Sequence, residues 1–559
     1  MAGMGRLKGY LKNHLTIFLL AIWQGFSLFL IAIGYWPQWL IYFNLGIILA
    51  YILLARPFEG LLLSVVSIPF YTVLPFVRLN NLTTWRLVFI WLFVVWLAKS
   101  YFSYRKGERE KIVEFLGWDK YLGLFILMAV VLLPFSRYVV QSAKQMIFFL
   151  NIYLLYLVLV NIVKTKQQVI SLVKFTALSL GLVVLIGYVQ LIATFFTNMD
   201  IFWVYWADFI SSLYYGQALA SVLLYSNSWF SYTGGGRDLR MFSILPDSHS
   251  FALLAVFCIA YLLVLTYSFT KKSKEEDKNG HHRPLSWRQK EVNFVDDQNK
   301  ILGIKINYSL WSAIRFAGLA VILSGTRAVW AGMFAPLLAT IYLIRKKLVR
   351  LMAEKYFWAC VLVLLFFALA PLFNQGLNLI RVNRFKENFI DRAKTIYDIE
   401  ESSNAIRLQV WKSGLKFAAS HPLGVGLGNY IVSLDSAARD LSYADVGNRV
   451  DERFNLPQKY VTAHNLYLNI LIELGILGLI AFLLFWWKYY RKVWDFLKLY
   501  RLQNNLLTFF VIATALTFLW LLAASMFDVT FFNDRVLMYF FISLGLSGVI
   551  MRDYEQLKQ

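Results

Sequence analysis

His464 opens the stretch TAHNLYLNILIELGILGLIAFLLFWW, Arg327 lies in LSGTRAVWAGMFAPLL, and Arg407 lies in NAIRLQVWKSGLKFAAS. A guanidinium can grip a diphosphate with two parallel N–H donors, and an imidazole titrating near neutrality can take a proton from a hydroxyl. Together the three suit attack by a hydroxyl on an anionic, phosphate-bearing substrate. Each also has a plainer role: a satisfied histidine at a helix start, or an arginine snorkelling at a span boundary.

Behind His464, the residues Asn465, Asn469 and Glu473 recur every four positions and form one polar stripe of a helix. Polar groups at membrane depth face a bundle interior or a wet cavity and by default mark function. Packing glue between helices is the competing role, above all for Asn469. Gly475 and Gly478 make a small-residue patch where another helix could approach. Upstream, Trp411 shares a helix face with Arg407, and HPLGVGLG makes a tight turn shaped by His421 and Pro422. The glycine run lacks both GK[ST] and GxGxxG spacing, so a nucleotide site is not expected. His281 and His282 lie in a polar loop, and Cys258 and Cys360 lie in apolar segments. None has metal or disulfide spacing.

The elements that must position these groups are set by composition. Of 559 residues, 59% are hydrophobic and 16% charged, and the mean hydropathy is +0.58. Such a chain is expected to be an all-α integral membrane protein. Apolar windows fall near 14–34, 38–55, 59–77, 84–99, 119–135, 144–163, 168–196, 248–269, 306–325, 328–344, 356–373, 464–487, 504–527 and 535–551. They suggest about 12–14 transmembrane helices, the first a signal anchor. The net charge of +23 gathers in alternate connections, such as KSYFSYRKGEREK and KYYRKVWDFLKLYR. That is the pattern of cytoplasmic loops rather than of nucleic-acid binding.

The alternation divides the chain into four parts. An N-terminal bundle spans 1–247, with an external segment near 197–247. Central helices span 248–373, with a flexible polar insertion at 271–305. A large, partly helical extracytoplasmic loop spans 374–461, and C-terminal helices span 462–559. Within the large loop, Ile406, Val410 and Leu415 against Arg407, Lys412 and Lys416 suggest a helix lying in the membrane interface. His464, Arg327 and Arg407 all fall on the outer face.

In this order SGTRA, RLQVW, HPLGVGLGNY and then HN followed by GxxG (His464, Asn465, Gly475, Gly478) resemble the O-antigen ligase and Wzy-polymerase superfamily of bacterial glycan-assembly enzymes. The resemblance is carried by residues 310–485. It departs from the family pattern at His249 in PDSHSFALL, where the family often has Asn.

The resemblance implies a multi-pass protein of the bacterial cytoplasmic membrane, with its active site facing the periplasm or exterior. The implied reaction moves a glycan from undecaprenyl pyrophosphate to an acceptor hydroxyl, inverting at the sugar, with neither metal nor cofactor. The lipid A core is the favoured acceptor. A Wzy-type polymerase joining lipid-linked repeat units, a protein O-oligosaccharyltransferase, and a lipid-linked glycan flippase are the alternatives. The implied catalytic residues are Arg327, Arg407 and His464. Arg240, His249, Trp411, Asn465 and Glu473 are the substrate-binding candidates. The partners are the lipid-linked donor, the acceptor and the bilayer.

Overall fold

The computed structural model describes residues 2–75, 82–108, 111–217, 220, 229–233, 236–278, 300–301, 304–344, 402–430, 462–500, 505–529 and 532–558. His281, His282, Cys360 and the window 356–373 lie outside the described residues. What is described is helical, apart from short hairpins such as Phe230–Thr233 against Gly236–Leu239.

The helices that build the bundle are α1 (Ala2–Ala32), α2 (Leu40–Leu54), α3 (Pro57–Val66), α4 (Thr84–Arg105), α5 (Asp119–Leu132), α6 (Val139–Ile162) and α7 (Lys166–Phe196). They are followed by α8 (Ser248–Lys278), α9 (Ile306–Leu323), α10 (Arg327–Gly332), α11 (Phe334–Ile344), α12 (Ser402–Ser420), α13 (Leu466–Tyr500), α14 (Leu506–Ala524) and α15 (Asp534–Arg552).

Among the described residues, eight helices are long and apolar enough to cross a membrane, so the protein is an all-α, multi-pass membrane protein. Five other expected windows, 38–55, 59–77, 119–135, 306–325 and 328–344, are carried by shorter helices. Prolines explain two of them. Pro69 and Pro134 sit in the 3-10 turns Ile68–Phe70 and Leu133–Phe135, which end the regular helix after α3 and α5. The insertion expected to be a loop from residue 271 starts as helix instead, because α8 runs on to Lys278.

Local signals set the boundaries. Thr165 and Gln168 form a capping box at the start of α7, with Gln168 N–H donating to Thr165 Oγ1 at 3.3 Å and Thr165 N–H to Gln168 Oε1 at 3.1 Å. At the core, α15 is buried continuously from Arg535 to Met551. A helix apolar all round belongs in the middle of a bundle, and α15 packs against α6, α8 and α14. Around it, α8 packs on α7, α9 and α14, and α13 packs on α5.

Candidate functional site

α13 begins at an unusual residue. His464 has a φ of 47°, a left-handed conformation that costs a non-glycine residue of order 1 kcal/mol or more. Asn465 then caps the helix, its Oδ1 accepting from Leu468 N–H at 3.0 Å. Leu466 N–H donates to Ser525 O at 2.9 Å, which fastens the helix start to the end of α14. His464 is therefore held in a bent backbone between two anchored neighbours.

The polar stripe of α13 faces a turn. The helix is broken at Gly475, with φ 67° and ψ −171°, and residues 422–430 fill the break. Ile476 N–H donates to Pro422 O at 2.9 Å, Val425 N–H to Ile472 O at 3.1 Å and Gly426 N–H to Glu473 O at 2.8 Å. A Cβ on Gly475 would lie 2.4 Å from Leu423 C, and one on Gly424 would lie 2.5 Å from Gly475 N. The two glycines exist so that two backbones can touch. What approaches the small-residue patch is a loop, where a helix was expected.

Glu473 is 5% exposed, and its Oε1 accepts from Tyr430 N–H at 3.3 Å. Its carboxylate is thus turned to the turn rather than toward His464. Asn429 fastens the other side of the turn, donating to Ser136 Oγ at 2.7 Å and Ser142 Oγ at 2.6 Å at the α5–α6 corner. The His421 ring stacks on Phe417 at 4.1 Å, completing the hinge from α12.

α12 packs on α13. Val410, Phe417 and Ala418 are buried with Ala463, Leu468 and Ile472, while Leu415, expected on the apolar face, is 57% exposed. Its buried side is thus set by a neighbouring helix, and the helix does not merely lie flat on a membrane surface. Trp411 Nε1–H donates to Ala463 O at 2.9 Å, and its ring lies 6.4 Å from that of Phe527. Arg407, one turn back on the same face, is thereby brought to the His464 end of α13.

Three further residues come from elsewhere in the chain. Gln190 of α7 accepts at Oε1 from Phe242 N–H at 3.1 Å and Ser243 N–H at 2.9 Å, folding residues 240–247 back into the bundle. Met241 N–H donates to Leu323 O at 3.0 Å, and a Cβ on Gly325 would meet the Arg240 side chain at 3.5 Å. Arg240 thus lies over the turn that leads into Arg327. Thr326 Oγ1–H donates to Ser248 O at 3.2 Å, so Arg327 and His249 each follow a residue of that side-chain-to-backbone bond.

The centre of this group is a residue that no motif pointed to. Asp528, in the connection from α14 to α15, has Oδ2 at 2.5 Å from His249 Nδ1 and Oδ1 at 3.7 Å from His464 Nδ1. Burial pushes the Asp528 carboxyl up, but the two imidazoles outweigh it and hold it well below the usual carboxylate range. The cluster is partly open, with side-chain exposures of 20% for His249, 27% for His464 and 11% for Asp528. An isolated acid in a short connection has no spacing signal in the sequence. Only its distance to two histidines some 280 and 64 positions away reveals it.

Of the site candidates, Arg240, His249, Arg327, Trp411 and His464 are gathered at one end of the bundle, and Arg407 is carried there by Trp411. Asn465 caps α13, and Glu473 points to the turn. Chemically, the group offers an anchored carboxylate, two imidazoles and three guanidinium-bearing side chains at a partly open mouth.

α5, α6, α13 and α15 together line an apolar pocket that is partly open to the surroundings. Phe125, Phe149, Leu427, Ile470, Trp486 and Phe532 are among its walls, which are almost wholly apolar. Leu427 belongs to the turn, Ile470 follows His464 on α13, and Phe532 follows Asp528.

No curated protein matches the chain. The family match covers α10 to α12, the turn, His464 and the break of α13, while Arg240, His249 and Asp528 lie outside it. Residues 312–483 match the model of the O-antigen ligase family, and over this stretch the chain carries a domain of the O-antigen ligase and Wzy superfamily.

Proposed function

We propose that the protein transfers a glycan from undecaprenyl pyrophosphate to an acceptor hydroxyl at the outer face of the bacterial cytoplasmic membrane, with the lipid A core as the favoured acceptor. The family match supports glycan processing on a lipid-linked substrate. The observation that supports the chemistry is Asp528 standing between His249 and His464, with Arg327 next to Thr326, whose side chain bonds the Ser248 carbonyl. A neutral imidazole at His464, oriented by the carboxylate, accepts the hydroxyl proton. The acceptor oxygen attacks the anomeric carbon with inversion, and the bond from that carbon to the diphosphate oxygen breaks. Arg327 and Arg407 meet the negative charge gathering on the diphosphate. Guanidiniums supply the charge that a metal would otherwise provide, so the reaction is proposed to be metal-independent.

The apolar pocket fits the other half of the donor. An isoprenoid chain seated between α5 and α13 would place its diphosphate at the mouth. A donor with the same sugar diphosphate on a short isoprenoid should therefore show a raised KM with kcat kept.

The test is purified protein with lipid-linked donor and lipid A core. Transfer should appear with wild-type protein, and replacing His464 by Ala should cost roughly 10²–10⁴ in rate. Movement of labelled lipid across vesicles with no sugar transfer would support the flippase reading instead. In cells, loss of a ligase leaves long polymer on the carrier, and loss of a polymerase leaves single repeat units.

A further inference from the structure

Asp528 offers one negative charge to two imidazoles, and it shares that charge unequally. His249 sits at 2.5 Å, within hydrogen-bond distance, and His464 at 3.7 Å, beyond it. Coulomb attraction falls with distance, and an imidazolium on one side opposes a second on the other. A positive charge on the His249 ring is therefore the one Asp528 stabilises more. Both rings turn Nδ1 to the carboxylate, so Nε2 is the nitrogen each directs away from it.

Resting on the transfer reaction above, we infer that the two imidazoles divide the acid–base work: His249, carried as an imidazolium on Asp528, binds the leaving diphosphate through its Nε2–H, while neutral His464 takes the acceptor proton. In the step, the acceptor O–H proton passes to His464 Nε2 and the acceptor oxygen bonds to the anomeric carbon. The electron pair of the breaking C–O bond leaves with the diphosphate, whose added charge is met by His249 N–H and the guanidiniums. His464 then returns its proton to water at the open mouth.

The charged groups around His249 can be named. Asp528 and His464 face it across the mouth. Asp247 lies two residues back, with its carboxylate accepting from Ser250 N–H at 2.7 Å and Ser250 Oγ–H at 2.8 Å. Arg240 and Arg327 stand on the adjoining turns. α14 contains no charged residue, nor does the half of α7 nearest this end, and in the matching half of α9 the charged residue is Arg315, exposed and two turns before Leu323. At the head of α15, Arg535 is occupied with Tyr215, Asp534 and the Tyr71 carbonyl. Asp528 thus remains the anion paired with His249.

His249→Asn tests this, because its amide N–H can replace Nδ1–H toward Asp528 but cannot carry charge. The rate of transfer from a lipid diphosphate donor would be read against pH. Wild-type protein should give a bell, its acid limb from protonation of His464 and its alkaline limb from loss of the His249 proton. His249→Asn should keep the acid limb, lose the alkaline limb and fall about 10-fold to 100-fold in kcat.

Binding of inorganic pyrophosphate by calorimetry gives a readout independent of turnover. Wild-type affinity should weaken as pH rises through the alkaline limb, and that dependence should vanish in His249→Asn and in a second variant, His249→Gln. An unchanged bell, or pyrophosphate affinity with the same pH dependence in folded variants, would overturn the inference. Wild-type protein that binds pyrophosphate with this dependence yet transfers no sugar would sink the transfer reading and leave the imidazolium site standing.

Discussion

At the end of the bundle opposite His464, Glu114 Oε2 lies 2.9 Å from Lys164 Nζ and 3.1 Å from Arg552 Nη1. The Asn161 amide grips its backbone from both sides, accepting from Glu114 N–H at 2.7 Å and donating to Glu114 O at 3.0 Å. Arg552 is also paired with Asp553 at 2.8 Å. Here acid and base side chains match in number and geometry, and they tie the end of α6 to the end of α15.

At the His464 end the counting differs. One carboxylate faces two imidazoles at unequal distances, one of those imidazoles sits on a left-handed backbone, and Arg240 and Arg327 stand on adjoining turns. A matched network holds helices together, whereas an unequal and strained one keeps groups available for a reaction.

Exchanging the carboxylates for amides is the strongest way to break that comparison. Asp528→Asn should lower kcat by about 10²- to 10³-fold, roughly 3–4 kcal/mol of barrier, with little change in thermal unfolding. An equal loss from Glu114→Gln would erase the distinction between the two ends.

Next comes the turn that supports the site. Gly475→Ala puts a Cβ against Leu423 in a backbone region open mainly to glycine. It should destabilise the protein by about 3 kcal/mol, read as a lowered unfolding midpoint in detergent. A midpoint unchanged from wild type would show that the break does not need glycine.

Asn465→Ala removes a helix cap and should cost about 1 kcal/mol of stability, with transfer reduced only as far as His464 loses its anchor. Glu114→Gln should cost the least, under about 1 kcal/mol, because Glu114 and Lys164 are 41% and 42% exposed and solvent screens the pair.

The Glu114 pair also carries a pH signature. The hydrogen bond from Lys164, against a smaller opposing effect of burial, holds the Glu114 carboxyl below the usual range. A depressed value contributes stability above the unfolded-state value and loses it as pH falls through the folded one. Acid unfolding of wild-type protein should show this loss, and Glu114→Gln should flatten it. Asp528, held low by its imidazoles, stays ionised through the neutral range, so activity there should follow the histidines.

Much of the fold was legible because it rests on local physics. Long apolar runs became helices, and the window expected at 168–196 is α7. The short motifs that hold His464, Arg327 and Arg407 were also readable, since each is a matter of a few neighbouring residues. Other features were not. Glu473 looked like a site residue on a polar stripe, but a break at Gly475 let a loop in, and the carboxylate serves that loop. Leu415 fitted an interfacial pattern together with Val410, yet the partner helix covers Val410 with Phe417 and Ala418 and leaves Leu415 exposed. Periodicity says which residues share a face, not what will cover it.

The sequence by itself determined that the chain crosses a membrane many times and that its charge gathers in the connections between apolar runs. Hydrophobic length and charge placement act residue by residue, without needing a partner. Only the tertiary structure decided that Asp528 would stand between His249 and His464. An ionised carboxylate draws its meaning from what lies within a few ångströms, and those neighbours come from helices hundreds of residues apart.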